Sequence, residues 1–553
     1  MMTTTFKFIL QVNRQLMLAV ILTLFGSINA WSQSAISDIP EVINASDATI
    51  TKMGHATMEM RREVVYDSIS HRADTISQVV SIDYDTAPGT ARKRMSRRKV
   101  AGSDFYDKDS SWWLDMWWFN YQYPSVNADG KSIVLSSMAC MPDDDVDRVN
   151  NIIVGCHVTI TSNKECPTSY TDDGSMLSDV SMLMNFAGSG LAPGNSVVAE
   201  LLQQCCNLVI LPDYEGYGVT KGNAHPYLYQ ELTARQVVDA VRYGKALYET
   251  SPQVSEVRHP FRDGWRTIPI GYSQGASVAL ATQRFIEQNG LSEELQLAGS
   301  ICGDGPYDLL STLMYYVGND LEEKKMSMPV VLPLILKGMC DSNPYMKNHQ
   351  VSDYLSERFL ETGIIDWLTA KEKSTDDITK IWTKLYNEGK GGDANYFRSI
   401  LTDDGKAYLK AIMKPAGYDY FKNLYEENKD YYYTSYGIPL PDHRGLMEDL
   451  HFALESNNMT MGWKPQHVIF LYHSTEDTVV PEKNRARAYN TLGSWVIKVK
   501  GSGKDHVEEG KSFYFFNSVV LNVCIKTLAN VPVNQTNADA QNIRNSIDSG
   551  FLE

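Results

Sequence analysis

The alternation of apolar and polar positions divides the chain into stretches of different character. Residues 33–105 are polar and weakly periodic, and they predict no firm element. They end in the basic run Arg92-Lys93-Arg94-Met95-Ser96-Arg97-Arg98-Lys99, which reads as a solvated linker rather than a processing site or anion patch. An aromatic run follows, Trp112 to Tyr123 (WWLDMWWFNYQY), then Asn127-Ala128-Asp129-Gly130, then an apolar run from Ile133 to Met141. Two strands joined by an Asp-Gly turn predict a β-hairpin, with the tryptophans as strand packing rather than a sugar platform.

Past the acidic stretch at Asp143-Asp144-Asp145 the pattern changes. Short apolar runs at Ile152–Cys156, Leu208–Leu211, Thr267–Ile270, Leu297–Cys302, Val468–Tyr472 and Trp495–Val499 read as buried strands. Between them, Leu232 to Tyr248 carries a helical stripe of Ala234, Val237, Val238, Val241 and Ala246, and Ala276 to Glu287 reads as a second helix. Strands alternating with helices predict an α/β fold with a mostly parallel sheet covered on both faces. From Pro306 to about Trp463 the alternation stops. That segment is helix-rich and carries tyrosine clusters such as Tyr315-Tyr316 and Tyr431-Tyr432-Tyr433. It reads as one helical insertion of the kind that caps an active site.

The first residues read as an address. Lys7 and Arg14 precede the apolar run Leu16–Phe25, about ten residues long, which suits a signal peptide and is too short to span a bilayer. Small residues at Ala30 and Ser32 place cleavage after Ser32, with an uncut N-terminal anchor as the competing reading. No Cys follows for a lipoprotein anchor, and no second stretch of spanning length occurs. The expected organisation is a signal peptide over 1–32, a polar extension over 33–105, and a core in two parts, 106–305 and 464–530. A cap over 306–463 separates the two parts, and a C-terminal tail covers 531–553. The mature chain is expected to be exported, periplasmic or secreted, without a stable membrane span.

Composition narrows the function. With 51 basic and 67 acidic side chains the formal net charge is -16, which repels nucleic-acid phosphates and anionic membrane surfaces. A hydrophobic content of 43% excludes a disordered chain. The 8 cysteines form no CxxC; Cys156, Cys302 and Cys524 read as buried small hydrophobes, and the sequence leaves room for one or two disulfides, Cys166 among the candidates, without pairing them.

The strongest local signal is Gly271-Tyr272-Ser273-Gln274-Gly275, a G-x-S-x-G between a predicted strand and a predicted helix. A nucleophile on so sharp a turn needs glycine on both sides, because neighbouring Cβ atoms would clash. The turn also sets the serine at a helix N-terminus, which favours a developing oxyanion. A serine nucleophile requires a base and a carboxylate to orient it, here in the chain order Ser, acid, His. Asp477 follows the strand Val468–Tyr472, and His506 follows the strand Trp495–Val499. Glu476 is the competitor for Asp477, while His473 precedes the acid and reads as structural. Oxyanion donors are expected at the N–H of Gln274 and at Val158 or Thr159, in the loop after Ile152–Cys156. His157 reads as a loop-fixing residue.

Other chemistries lack their residues. The chain has no Gly-rich phosphate loop, no HExxH and no paired Cys/His spacing, so neither a cofactor nor a metal is expected. The Asp143–Asp147 cluster reads as an acidic surface loop, and Glu508 and Glu509 as solvated carboxylates after His506.

The motifs VGCHVT, LPDYEGYG, GYSQG, GDGPYDL (Gly303 to Leu309) and EDTVVP resemble those of the α/β-hydrolase superfamily, and more narrowly the secretory-lipase family. The resemblance covers roughly Trp112 to Leu528. It implies an α/β-hydrolase fold with the large helical cap between the nucleophile-bearing and acid-bearing strands. It also implies hydrolysis of a small-molecule, lipid or carbohydrate ester by Ser273, His506 and Asp477. Two alternatives share that fold: a secreted serine peptidase acting on short peptides, and a non-catalytic ligand-binding protein.

Overall fold

The structure, a computed structural model, describes residues 38–67, 72–85, 111–142, 148–171, 207–321, 330–388, 446–513 and 518–547, together with Ile36 and Met328. The signal-peptide segment, the basic run at 92–99, the Asp143–Asp147 cluster, Cys205, Cys206 and the tyrosines at 431–433 lie outside these residues.

Ten strands form one sheet: β1 (Thr49–Asp67), β2 (Arg72–Asp85), β3 (Ser111–Val126), β4 (Ser132–Pro142), β5 (Ile152–Cys156), β6 (Leu208–Pro212), β7 (Thr267–Tyr272), β8 (Gly299–Gly303), β9 (Val468–His473) and β10 (Val496–Lys500). Their order is β10-β9-β8-β7-β5-β6-β4-β3-β1-β2. The first six run parallel, and the last four add on antiparallel. Every residue of β5, β6, β7, β8 and β9 is buried, which is why these strands read as continuous apolar runs rather than as alternation.

The chain leaves β5 for β6 on one side and returns to β7 on the other. This reversal opens a crevice at the C-terminal ends of β5 and β7, where doubly wound sheets place their sites. The helix Gln230–Thr250 packs beside the helix Gln274–Gln288, and β3 is riveted to the former. Tyr121 donates to Ala240 O at 2.7 Å and Tyr123 to Gln236 O at 3.1 Å. The expected β3–β4 hairpin is present. Its turn is held by the Asn127 side chain, which accepts from Asp129 N and Lys131 N, and Trp118 on β3 is fully buried.

Three expectations change. The polar extension carries β1 and β2, and β1 pairs along β3, so the sheet continues into a segment whose antiparallel-strand alternation reads as weak periodicity. Its start is also fastened down, because Arg235 donates to Ile36 O and Asp38 O, and Arg242 to Pro40 O and Glu41 O. The tail is likewise docked: Gln535 bridges Val468 N and Ala298 O, and Arg544 of the helix Asn537–Ser546 donates to Val496 O. Cys166 is a free, buried thiol lying 3.1 Å from Asn163 O and Ser169 Oγ.

Between β8 and β9 the chain forms the helices Leu309–Leu321, Val331–Ser342, Ile364–Ala370, Thr375–Glu388 and Leu446–Ser456. They share a core of their own, which also takes in Tyr227, Leu228, Val479 and Val480. The insertion therefore sits on the loops after β6 and β9. Its two ends are stitched together at the base, where Met459 N donates to Tyr307 O and Asn458 Nδ2 to Asp308 Oδ1. No helix among the described residues is long and apolar enough to cross a membrane.

Candidate active site

Ser273 stands between β7 and the helix Gln274–Gln288 with φ 55° and ψ −125°, a conformation that costs a non-glycine residue on the order of 1–3 kcal/mol. Its flanking glycines make the turn sterically attainable. A Cβ on Gly271 would lie 2.1 Å from Gly275 O, and one on Gly275 would lie 2.0 Å from Cys156 O. Ser273 N donates to Gly303 O at 2.9 Å, fixing the turn to the end of β8.

His506 begins the short helix His506–Lys511, behind Asp505, whose carboxylate caps Glu508 N. Its Nε2 lies 2.8 Å from Ser273 Oγ, and its Nδ1 lies 2.6 Å from Asp477 Oδ2. Asp477 is held in turn by its own loop: Oδ1 accepts from Val479 N and Val480 N, both at 2.8 Å. The bond to Asp477 fixes the Nδ1–H tautomer and leaves the Nε2 lone pair facing the serine hydroxyl. Burial alone would push the imidazole down. The nearby carboxylates of Asp477, Asp304 and Asp505 outweigh it, and the net shift is upward. Glu476 is exposed, and its backbone N bonds Ser474 Oγ.

His473 ends β9 between two other carboxylates, with Nδ1 2.5 Å from Asp304 Oδ1 and Nε2 2.6 Å from Glu482 Oε2. This matches the structural role read for it. His157 is buried on Tyr214 with ring centroids 3.9 Å apart, and its nitrogens face Val158 O and Asp213 O. Burial pushes it down to about 4, so it stays neutral as a loop-fixing group.

The nucleophile turn touches the loop after β5, because Gly275 lies directly against Cys156 O and His157 O. Val158 and Thr159 thus lie in the loop adjoining Gln274, whose N–H, as the first of a helix, has no intrahelical acceptor. The cap braces the same loop. Thr375 Oγ1 donates to Thr159 O at 3.4 Å, Thr161 Oγ1 to Lys373 O at 2.8 Å, and Asn163 N to Lys371 O at 2.8 Å.

The sequence reading of Glu509 needs correction, although Glu508 is exposed as expected. Glu509 is fully buried and gathers the loop before His506: it accepts from Ser502 N at 2.6 Å, Ser502 Oγ at 2.9 Å and Lys504 N at 2.9 Å, and from the Tyr472 hydroxyl. Its place in the first turn of a helix looks solvated in sequence; only the fold brings Tyr472 over it. The Gln274 side chain also has a partner that sequence does not reveal. Its Nε2 donates to His225 Nε2 at 3.2 Å, while His225 Nδ1 faces Glu215 O at 2.7 Å. Among the described residues no group of three His, Cys, Asp or Glu could hold a metal ion.

Comparison with known proteins places the fold. No protein-family profile and no curated protein matches the chain. Among solved structures it is similar to the rice cell wall degrading esterase LipA from Xanthomonas oryzae. That match has a TM-score of 0.53 at 18% identity, covering 75% of this chain and 90% of the esterase. It is similar also to a hydrolase from Legionella pneumophila, with a TM-score of 0.51 at 15% identity, covering 75% of this chain and 90% of that one. The chain has the α/β-hydrolase fold.

Proposed function

We propose that the chain is an exported serine hydrolase that cleaves carboxylic esters. Ser273 is the nucleophile, His506 the base and Asp477 the orienting acid. The observation that carries this reading is the unbroken hydrogen-bonded chain from Ser273 Oγ through His506 to Asp477, built on a nucleophile with positive φ.

The chemistry follows from the geometry. Ser273 Oγ attacks the ester carbonyl carbon while His506 Nε2 takes its proton, and Asp477, still ionised, holds the resulting imidazolium. The carbonyl oxygen becomes an oxyanion. It would be held by Gln274 N–H together with the N–H of Val158 or Thr159, donors worth about 10²–10³ each in rate. As the tetrahedral intermediate collapses, His506 gives its proton to the departing alkoxide and leaves an acyl-Ser273. Water then attacks the acyl carbon with His506 again as base, releasing the carboxylic acid and restoring the serine. Export rests on the N-terminal pattern of Lys7, Arg14 and the apolar run Leu16–Phe25.

Hydrolysis of a nitrophenyl ester series from acetyl to palmitoyl, with wild type beside Ser273→Ala, tests the reading. Wild-type turnover with a loss of at least about 10³ in the variant is expected, since removing a triad nucleophile can cost about 10⁶. Loss of less than tenfold would overturn it. The chain-length profile would then identify the acyl group, and turnover of a matching amide at a comparable rate would favour a peptidase.

A further inference from the structure

Asp304 is a carboxylate that the proposed reaction does not use, yet it bonds residues next to the nucleophile and in the loop of the acid. It follows β8 with φ 42°, the left-handed region that a non-glycine residue occupies only when its surroundings enforce it. Its own N–H donates to Tyr472 O at 3.1 Å. Its Oδ1 lies 2.5 Å from His473 Nδ1 and accepts from Ser474 N at 3.1 Å. Its Oδ2 lies 3.0 Å from the Tyr272 hydroxyl, which is also 2.7 Å from His506 O. The side chain is fully buried.

Two of these partners, Tyr272 and Ser474, lead to reacting groups. Tyr272 immediately precedes Ser273, and its ring centroid lies 5.0 Å from the His506 imidazole. Ser474 opens the loop that carries Asp477: its carbonyl accepts from Asp477 N at 3.4 Å, and its hydroxyl donates to Lys504 O at 2.5 Å, two residues before His506. One buried carboxylate therefore joins the ends of β7, β8 and β9 and both loops that bear the acid and the base. Burying such a charge is costly unless it is satisfied, and here the Ser474 N–H, the Tyr272 hydroxyl and the His473 imidazole satisfy it.

We infer that Asp304 is a positioning residue of the proposed ester hydrolysis. It fixes the Asp477 and His506 loops against the nucleophile turn, and it supplies a second negative charge beside the imidazolium that forms during turnover. The inference rests on the Ser273–His506–Asp477 reading. The charged groups facing His506 are Asp477 from the loop after β9, Asp304 from the end of β8 and Asp505 from its own loop. Glu509 is turned instead to Tyr472, Ser502 and Lys504. Behind Asp304, His473 lies between it and Glu482, which in turn pairs with Arg485. With carboxylates alone facing the imidazole, removing one of them must make His506⁺ less stable.

The test is Asp304→Asn, which keeps the shape and an oxygen acceptor while removing the charge. Wild type, the variant and Ser273→Ala are compared on one nitrophenyl ester, with the folded fraction counted by near-UV circular dichroism. Per folded site, kcat should fall about tenfold with KM within about twofold, and the acidic limb of kcat/KM should move to lower pH. A purely structural Asp304 would lower the folded fraction and leave the limb in place, and that result overturns the inference. If Asp304→Asn does not fold, Tyr272→Phe decides. Loss of the hydroxyl should lower kcat at least threefold in folded protein, and an unchanged kcat overturns the inference. Activity retained in Ser273→Ala would bring down the triad reading and this inference together. Activity abolished there, with an unmoved limb in Asp304→Asn, would bring down this inference alone.

Discussion

Gly275 lies so close to the carbonyl of Cys156 that a Cβ on it would stand 2.0 Å from that oxygen. The contact joins the turn that presents Ser273 to the loop after β5. The glycine that permits the sharp turn thus also sets the distance between the nucleophile and the candidate oxyanion donors at Val158 and Thr159. Gly275→Ala must push the two segments apart. Overpacking at a rigid contact costs about 1–3 kcal/mol, so a melting temperature lower by about 1–3 °C is expected in a chain of this length. Activity should fall by more than the folded fraction accounts for, and a variant with wild-type melting and turnover would refute the contact's importance.

The acid is assigned by a matched pair of substitutions. Asp477→Asn should lower kcat by about 10³–10⁴, because the amide no longer holds His506 in the Nδ1–H tautomer. Glu476→Gln should change it less than twofold, since that side chain is exposed and the imidazole bonds Asp477. The reverse result would exchange their roles.

The pH profile has a definite sign. The folded His506 is raised above its ordinary value by Asp477, Asp304 and Asp505 against the effect of burial. The neutral base is therefore lost as pH falls through a value above the usual imidazole figure of about 6.5. The acidic limb of kcat/KM is expected at higher pH than that figure, and a limb well below it would contradict the electrostatics.

Glu509 and Glu508 are neighbours in sequence with opposite environments. Glu509→Ala removes the buried carboxylate that Ser502 N, Lys504 N and the Tyr472 hydroxyl share. A loss of about 1–3 kcal/mol in unfolding free energy is expected, together with reduced turnover as the His506 loop loosens. Glu508→Ala, at an exposed position, should stay within about 0.5 kcal/mol of wild type.

These contrasts mark what could be read from residues alone. The buried parallel strands, the hairpin at Asn127–Gly130 and the chain order of Ser273, Asp477 and His506 all leave local patterns, because each depends on a run, a turn or a short motif. β1 and β2 were hidden because strands beyond the parallel core alternate with polar residues and lack a continuous apolar run. Glu509 and Asp304 were hidden for a different reason. Their tyrosine partners, Tyr472 and Tyr272, lie 37 and 32 residues away, and no spacing in the sequence announces that the fold brings them together. His473 is the instructive intermediate: chain order excluded it as the base, but only the fold shows Asp304 and Glu482 on either side of it.

The central claim is that Ser273 is the activated nucleophile, and covalent labelling tests it most directly. Folded protein treated with a fluorophosphonate should take up one label per chain, mapped by peptide mass to Ser273, while Ser273→Ala takes up none. Folded wild type that stays unlabelled, or that carries its label on another residue, would contradict the account.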